Sequence, residues 1–207
     1  MIKNVIFDIG NGLVEFTPQK TMRKIGIPEE KVDALLVASV FNKWWQELDR
    51  GFLPEKEVQE YMIADHPELE NEIRCFFEKG TPHIVRSFDY SAGWLKSLKE
   101  KGLGIYLLSN YPESYFEIHS KNEFTFLPYV DGKIVSAYVK KIKPDPDIYR
   151  VLLETYGLNA QECVFLDDRK ENIVVAQKLG FHTIWFRNYE EACQKLAAML
   201  EKQAEIC

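Results

Sequence analysis

The sequence predicts an α/β protein built on a doubly wound parallel sheet. Four short runs, at 5–7, 104–110, 163–168 and 182–186, are apolar at almost every position. Strands that are apolar throughout, rather than at alternate positions, are typical of a parallel sheet covered on both faces. Helical patterns separate these runs, and strands that alternate with helices indicate βαβ units.

The connecting helices follow from periodicity and from glycines at their ends. Gly102, Gly157 and Gly180 each come just after a helical pattern, where a helix C-cap favours glycine. A fifth and weaker strand candidate lies at 129–139. The helices are expected at 89–101, 112–120, 146–156, 170–179 and 190–204.

A long segment after the first strand interrupts this alternation. Residues 17–85 contain four helical patterns and no strand pattern. Pro28, Pro54 and Pro67 stand where helices of this segment would begin. We therefore expect a core domain made of 1–16 and 86–207, with a small all-helical domain at 17–85 inserted into it.

Composition and charge exclude several classes of protein. The chain has 207 residues and a net charge of -6, so it lacks the basic surface that nucleic acids or anionic membranes require. No apolar run approaches the ~20 residues of a membrane span, and no signal-peptide pattern opens the chain. The four cysteines form no CxxC pair, so we expect a reduced, cytoplasmic protein without a zinc site. They are Cys75, Cys163, Cys193 and Cys207. A monomer and a homodimer remain equally open.

Polar side chains stand at the ends of the predicted strands. Ligands of open α/β sheets bind beyond the carboxyl ends of the strands, so these side chains are candidates for a site. Their carboxylates suit Mg²⁺, and their hydroxyl and ammonium groups suit phosphate oxygens. The candidates are Asp8, Ser109, Asn110, Asp167 and Asp168, with Lys143 from the loop "KKIKPDPDIY".

Taken together, these residues resemble the four motifs of the haloacid dehalogenase-like (HAD) hydrolase superfamily. The motifs are "FDIGN" at 7–11, "LLSN" at 107–110, Lys143 in "KPDPDIY", and "FLDD" at 165–168. They occur in the family's order, and the inserted segment lies where the subgroup with a small helical (C1-type) cap carries its cap. The resemblance covers essentially the whole chain and implies a Rossmann-like core.

The resemblance implies a reaction and assigns residues to it. Asp8 would be the nucleophile that attacks phosphorus and forms an aspartyl-phosphate, a role in which carboxylates are known. Lys143 would neutralise the charge on Asp8 and on the phosphate. Ser109 and Asn110 would bind phosphate oxygens. The substrate would be a small phosphorylated metabolite.

The same resemblance implies a magnesium site. Asp8, the backbone carbonyl of Gly10 and Asp168 would coordinate Mg²⁺ directly, and Asp167 would contribute directly or through water. The cation would screen the repulsion between the anionic nucleophile and the anionic substrate.

Position 10 departs from the usual phosphatase pattern. Most phosphatases of the family carry a second Asp two residues after the nucleophile, which serves as general acid and base, whereas this chain has Gly10. Such help is typically worth ~10²–10⁴ in rate. If nothing replaces it, turnover should fall steeply as the leaving alcohol becomes more basic.

Three hypotheses accommodate Gly10. The chain could be a phosphatase with an easily expelled leaving group, such as a hexose-1-phosphate, and "DxGN" resembles a branch said to act on such esters. It could be a 2-haloacid dehalogenase, since halide needs no proton. It could also bind a phosphate ligand or a partner without catalysis. Adjacent carboxylates at Asp167 and Asp168 favour the phosphatase, because dehalogenases do not use Mg²⁺.

Several other residues are weaker candidates. Glu15 is near enough to Asp8 in sequence to carry a proton, although it better fits the start of a hinge. The turn "DRGFLPEKE" resembles a cap loop used for specificity, with Glu47, Asp49 and Arg50 beside it. Trp44 and Trp45 could face the site or fill the core of the insertion. The histidines match no catalytic spacing.

Overall fold

The computed structural model describes residues 1–204. It contains seven strands in this range: β1 (Asn4–Phe7), β2 (Val14–Phe16), β3 (Val85–Ser87), β4 (Gly104–Ser109), β5 (Gly132–Val135), β6 (Cys163–Asp167) and β7 (His182–Trp185). The α-helices are α1 (Pro18–Lys24), α2 (Glu29–Ala38), α3 (Lys43–Arg50), α4 (Glu55–Asp65), α5 (Glu70–Cys75), α6 (Ser91–Glu100), α7 (Glu113–Asn122), α8 (Ser136–Val139), α9 (Pro146–Tyr156), α10 (Lys170–Lys178) and α11 (Tyr189–Ala204).

Five strands form the predicted parallel sheet, in the order β5-β4-β1-β6-β7. The first strand is central, and its Phe7 lies opposite Leu107 of β4 and Leu166 of β6. The connections from β1 to β4, from β4 to β5 and from β6 to β7 each contain helices, as crossovers between parallel neighbours require. The α/β class is therefore confirmed, and the carboxyl ends of β1, β4 and β6 lie side by side.

Both faces of the sheet are buried along its three central strands, β4, β1 and β6, which explains why these strands are almost entirely apolar. Val5 and Phe7 point into the larger cluster of buried side chains. Ile6 points to the other face, where it joins a second cluster with Tyr149 and Phe165. Successive side chains of a strand alternate between faces, so a strand covered on both sides needs an apolar residue at every position.

Two details differ from the sequence expectation. The fifth strand occupies only residues 132–135 of the 129–139 segment, and the chain turns at once into α8. A second sheet was not expected at all: β2 and β3 pair as an antiparallel ribbon, with Val14 opposite Ser87. Each strand of the ribbon has three residues and pairs with a segment about seventy positions away, so local periodicity carries no signal for it.

Residues 18–83, between the two ribbon strands, contain only helices and helical turns. Proline precedes or opens these helices as expected, with Pro28 and Pro54 at N-caps and Pro67 at the first position of a short turn. The buried side chains of this segment belong to the same large cluster as one face of the sheet.

The C-terminal end of α3 lies directly on the core at α8. The Ser136 hydroxyl donates a hydrogen bond to the Asp49 carbonyl, and the Lys140 ammonium donates to the Gly51 carbonyl. Lys140 therefore joins the helical insertion to the core. Gly51 is left-handed, with φ of 68°, and a Cβ there would lie 2.6 Å from the Ala137 carbonyl oxygen.

No helix among residues 1–204 combines the length and apolar character needed to cross a bilayer. Cys75, Cys163 and Cys193 are free thiols. Cys207 lies outside the described residues.

The close approach at Gly51 can be measured. Gly51→Ala should lower the free energy of unfolding by about 2–4 kcal/mol, because it adds a steric clash to the strain of a left-handed alanine. The matched control is Gly157→Ala, at a C-cap with φ of 62° and no atom within 4 Å of the added Cβ. It should cost only about 1 kcal/mol. Equal losses in urea denaturation of the two variants would contradict the packing argument.

Candidate active site

Asp8 stands at the carboxyl end of the central strand, and its position is fixed on both sides. Its backbone N–H donates to the Leu166 carbonyl at 2.9 Å, which extends the ladder with β6 by one residue. Its Oδ1 accepts a hydrogen bond from Ser109 at 2.8 Å and lies 2.9 Å from the Lys143 ammonium. The carboxylate is thus held at one oxygen and keeps the other available.

Lys143 is a buried cation between two carboxylates. Its side chain is 2% exposed, and its ammonium lies 2.7 Å from Asp167 Oδ2 as well as 2.9 Å from Asp8 Oδ1. Burial by itself would lower the pKa of Lys143, but Asp167 and Asp8 outweigh it, so its pKa lies above the ordinary value. Lys143 therefore stays charged.

The side chain of Asn110 positions Lys143 by hydrogen bonds to the lysine backbone. The Asn110 side chain accepts a hydrogen bond from the Lys143 N–H at 2.7 Å and donates one to the Lys143 carbonyl at 2.9 Å. Because both polar groups of the Asn110 side chain are bonded to Lys143, the groups of this segment that face the site are the Asn110 backbone and the Ser109 hydroxyl. This bond joins the end of β4 to the loop that precedes α9.

Asp167 is held by several donors. Beyond Lys143, its Oδ1 accepts from the Arg169 N–H at 2.8 Å, and the Asn172 side-chain amide lies 3.0 Å from each of its oxygens. Sequence reasoning missed Asn172. Its position five residues after Asp167, in the first turns of α10, was the available signal.

Asp168 lies beside Asp167 but points toward the loop after β1. Its Oδ2 accepts a hydrogen bond from the Asn11 side chain at 2.8 Å, and its carbonyl accepts one from the Trp185 indole. Burial raises the pKa of Asp168, the Asn11 hydrogen bond opposes this, and the neighbouring Asp167 raises it further.

The structure brings three of the predicted carboxylates into one cluster. One oxygen from each of Asp8, Asp167 and Asp168 lies within 4.8 Å of the others. Three carboxylates this close together repel one another. A divalent cation that prefers oxygen ligands would relieve that repulsion.

The loop that follows Asp8 leaves space beside this cluster. A Cβ on Gly10 would be 3.8 Å from its nearest atom, Asp8 Oδ2, and the backbone of Gly10 is not left-handed. The left-handed residue of the loop is instead Asn11, with φ of 52°. Gly10 therefore holds no backbone conformation that only glycine adopts easily. What Gly10 supplies is open space next to the Asp8 carboxylate.

A cavity of about 200 Å³ opens above these groups. Its floor contains the polar strand ends, and its walls are largely aromatic and aliphatic. Asp49, at the end of α3, also faces this cavity. The lining residues of the walls include Phe16, Trp45, Val85, Tyr111 and Tyr115.

Asp49 differs from the other acids of the cavity because its carboxylate has no hydrogen-bond donor or ion-pair partner within residues 1–204. Burial, reinforced by the charge of Asp8, raises its pKa to about 7, while Arg169 and Lys143 oppose the rise. In the sequence, Asp49 stands at the turn "DRGFLPEKE". No local pattern there indicates that its side chain would face Asp8.

Other candidates do not reach the site. Glu15 is exposed on the β2–β3 ribbon, opposite Arg86. Trp44 stacks on Tyr61 outside the cavity, in contrast to Trp45, which is buried and lines it. His119 is buried in a structural role, with its ring nitrogens 2.7 Å from the Tyr111 hydroxyl and 2.8 Å from the Thr81 carbonyl.

A family model described as haloacid dehalogenase-like hydrolase matches residues 2–180. A sesquiterpene phosphatase of Aspergillus oryzae is 24% identical over 200 residues, which cover 96% of each chain. A D-ribitol-5-phosphate phosphatase of Bacteroides thetaiotaomicron is 25% identical, over 97% of this chain and 99% of the relative. A magnesium complex of a HAD family enzyme from Bacteroides thetaiotaomicron superposes with a TM-score of 0.72 at 25% identity, covering 90% of this chain and 93% of the other.

The raised pKa of Asp49 predicts how stability depends on pH. Between about pH 4 and pH 7 the folded protein retains a proton on Asp49 that the unfolded chain releases, so this residue makes stability fall as pH rises. Asp49→Asn cannot ionise. Its free energy of unfolding should therefore gain about 1–2 kcal/mol relative to the parent protein between pH 4 and pH 8; this range allows for partial exposure of the side chain.

Urea denaturation at several pH values, in EDTA, measures this difference. Asp33→Asn, at an exposed position of α2, is the control and should show no such trend. A constant difference between the Asp49→Asn variant and the parent protein across this range would mean that Asp49 titrates normally.

Proposed function

Because this chain belongs to the haloacid dehalogenase-like hydrolase family, we propose that it is a Mg²⁺-dependent phosphomonoester hydrolase acting through an aspartyl-phosphate. The observation that carries the proposal is the cluster of Asp8, Asp167 and Asp168 around a buried Lys143 at the end of the central strand. Phosphatases among its relatives, alignable over nearly the whole chain, support the same reaction.

In this proposal Asp8 attacks phosphorus. Oδ1 is held by Ser109 and Lys143, and Oδ2 faces the open space beside Gly10. An Oδ–phosphorus bond forms while the bond from phosphorus to the ester oxygen breaks, and the leaving oxygen takes a proton. Water then attacks the phosphorus of the aspartyl-phosphate, which releases inorganic phosphate and returns Asp8 to its carboxylate form.

The phosphate would be bound by three groups from two segments, the end of β4 and the loop before α9. The Ser109 hydroxyl, the backbone after β4 at Asn110 and the Lys143 ammonium are the donors at the strand ends. Lys143 also lies 2.9 Å from Asp8, so its positive charge would offset the repulsion between the Asp8 carboxylate and an incoming phosphate.

The donor set fits Mg²⁺. The carboxylates of Asp8 and Asp168 and the carbonyl of Gly10 would hold the ion, which would supply positive charge against the phosphate oxygens. Asp167 fits a role through water better than direct coordination. A carboxylate offers about four acceptor positions, and its contacts to Lys143, Arg169 and Asn172 already use them.

The substrate proposed is a small phosphorylated metabolite, with hexose-1-phosphates as the first class to test. Trp45 and Tyr115 in the cavity wall suit the face of a sugar ring or an apolar chain. The relatives named above act on D-ribitol-5-phosphate and, by name, on a sesquiterpene substrate, so both polyol and apolar esters belong in the panel. We also propose that the chain belongs to the DxGN branch.

Residues 17–85 are proposed to act as the small helical (C1-type) cap of a core made of 1–16 and 86–207. The two crossings between them pair as the β2–β3 ribbon, and α3 brings Trp45 and Asp49 over the strand ends. A cap of this kind would exclude water from the first step and select the leaving group.

The first expected result is dependence on Mg²⁺. Phosphate release from a panel of phosphate monoesters should fall at least about 100-fold in EDTA and return when Mg²⁺ is added, because the acid cluster then repels the substrate. A 2-haloacid should yield no halide under either condition. Halide release that persists in EDTA would establish the dehalogenase hypothesis instead.

The second concerns the nucleophile. Asp8→Asn retains the shape of the side chain and removes its charge, so phosphate release should fall by about 10³-fold or more without loss of the folded state. Asp89→Asn, at an exposed acid outside the cavity, is the control and should retain full activity. Near-normal turnover in the Asp8→Asn variant would exclude the aspartyl-phosphate intermediate. If the parent protein bound phosphate but hydrolysed no ester, the non-catalytic hypothesis would be favoured instead.

A further inference from the structure

The reaction proposed above lacks a proton carrier at the position where most phosphatases of the family have one. Gly10 has no side chain, and Glu15 is exposed on the ribbon. Among the residues described, the carboxylates that line the cavity are Asp8, Asp49 and Asp168. Asp8 and Asp168 belong to the acid cluster. That leaves Asp49 as the acid in the cavity with no other task.

Asp49 is fixed over the strand ends by contacts of its own backbone. Its carbonyl accepts a hydrogen bond from the Ser136 hydroxyl, and Ser136 also accepts one from the Tyr111 N–H at 2.8 Å, just beyond the phosphate-binding end of β4. Two residues further on, the Gly51 carbonyl accepts from Lys140, in the approach that excludes a Cβ. The end of α3 is therefore joined to the same loop that carries Ser109 and Asn110.

Charged and titratable groups face Asp49 from several elements, and a second cavity that Asp49 borders also contains Lys140, Lys141 and Asp145. Asp8 lies below it at the end of β1, Lys143 comes from the loop before α9, and Arg169 from the start of α10. Tyr111 faces it from the loop after β4. On α3 itself, Glu47 and Arg50 pair with each other at 3.5 Å. Within residues 1–204 no hydrogen-bond donor holds the Asp49 carboxylate; burial and Asp8 raise its pKa to about 7, and Arg169 and Lys143 oppose the rise.

We propose that Asp49, supplied by the helical insertion, is the general acid and base of the reaction. In the first step the Asp8–phosphorus bond forms, the bond from phosphorus to the ester oxygen breaks, and the Asp49 proton moves to that oxygen to give the free alcohol. In the second step the Asp49 carboxylate takes a proton from water as the water oxygen bonds to phosphorus and the Asp8–phosphorus bond breaks. Phosphate leaves, and both acids return to their starting forms.

This assignment rests on the proposed phosphatase function and changes one expectation from the sequence. A chain with no acid at position 10 should depend steeply on the leaving group. With Asp49 as donor, the parent enzyme should show only a shallow dependence, because protonation compensates for a basic alcohol. The assignment also makes the packing of α3 on the core a requirement of the reaction, because Asp49 would reach the ester oxygen only in that arrangement.

The test compares the parent enzyme with Asp49→Asn on phosphate monoesters whose leaving groups range from p-nitrophenol through phenol to a primary alcohol. The variant should lose about 10²–10⁴-fold in kcat/KM on the alkyl ester and little on p-nitrophenyl phosphate, whose leaving group needs no proton. On the alkyl ester, parent activity should fall as pH rises above about 7, and this limb should be absent in the variant. Asp33→Asn, on α2 of the same insertion, should match the parent enzyme throughout.

An equal loss on every ester would overturn the proposal, because a merely structural role would slow all substrates alike. A steep dependence already present in the parent enzyme and unchanged in the Asp49→Asn variant would overturn it as well. Failure of the underlying function looks different: the parent enzyme would then release no phosphate even from p-nitrophenyl phosphate in Mg²⁺. Urea denaturation of the variant, together with its retained turnover of p-nitrophenyl phosphate, separates loss of proton transfer from loss of folding.

Discussion

The site depends on one buried cation. Lys143 is almost inaccessible to water, and its ammonium joins Asp8 on the central strand to Asp167 on the next. A buried charge is tolerated only when it is paired and hydrogen-bonded, and removing one partner of such a pair typically costs about 3–5 kcal/mol. The acid cluster and the lysine therefore require each other, because the Lys143 ammonium supplies the positive charge that offsets the repulsion between Asp8 and Asp167.

The rest of the core holds these three groups in register. Parallel pairing brings the ends of β1, β4 and β6 to one edge, and the Asp8 N–H continues the ladder onto β6. The Asn110 side chain fixes the backbone of Lys143, and Asn172 fixes Asp167. The Lys143 ammonium and the carboxylates of Asp8 and Asp167 are thus paired with one another at the strand edge, as buried charges require.

The helical insertion completes the cavity from the other side. Its α3 contributes an apolar wall at Trp45 and an unpaired acid at Asp49, and it is joined to the core by hydrogen bonds from Ser136 and Lys140. In the proposed reaction the core would supply the nucleophile and the phosphate contacts, and the insertion would supply the environment of the leaving group. This division would separate the chemistry common to the family from the choice of substrate.

The sequence by itself was enough to predict the parallel sheet, four of its five strands and the six polar residues at its carboxyl edge. Apolar runs and strand-end motifs are local signals, so they can be read without knowing which segments pack together. Only the tertiary structure decided the features that depend on contacts between segments far apart in the sequence. The β2–β3 ribbon joins segments about seventy residues apart, Asn172 reaches back to Asp167, and Glu15 turns to solvent while Asp49 faces Asp8. A carboxylate acquires its role from burial and neighbouring charge, and both arise only when separate segments pack together.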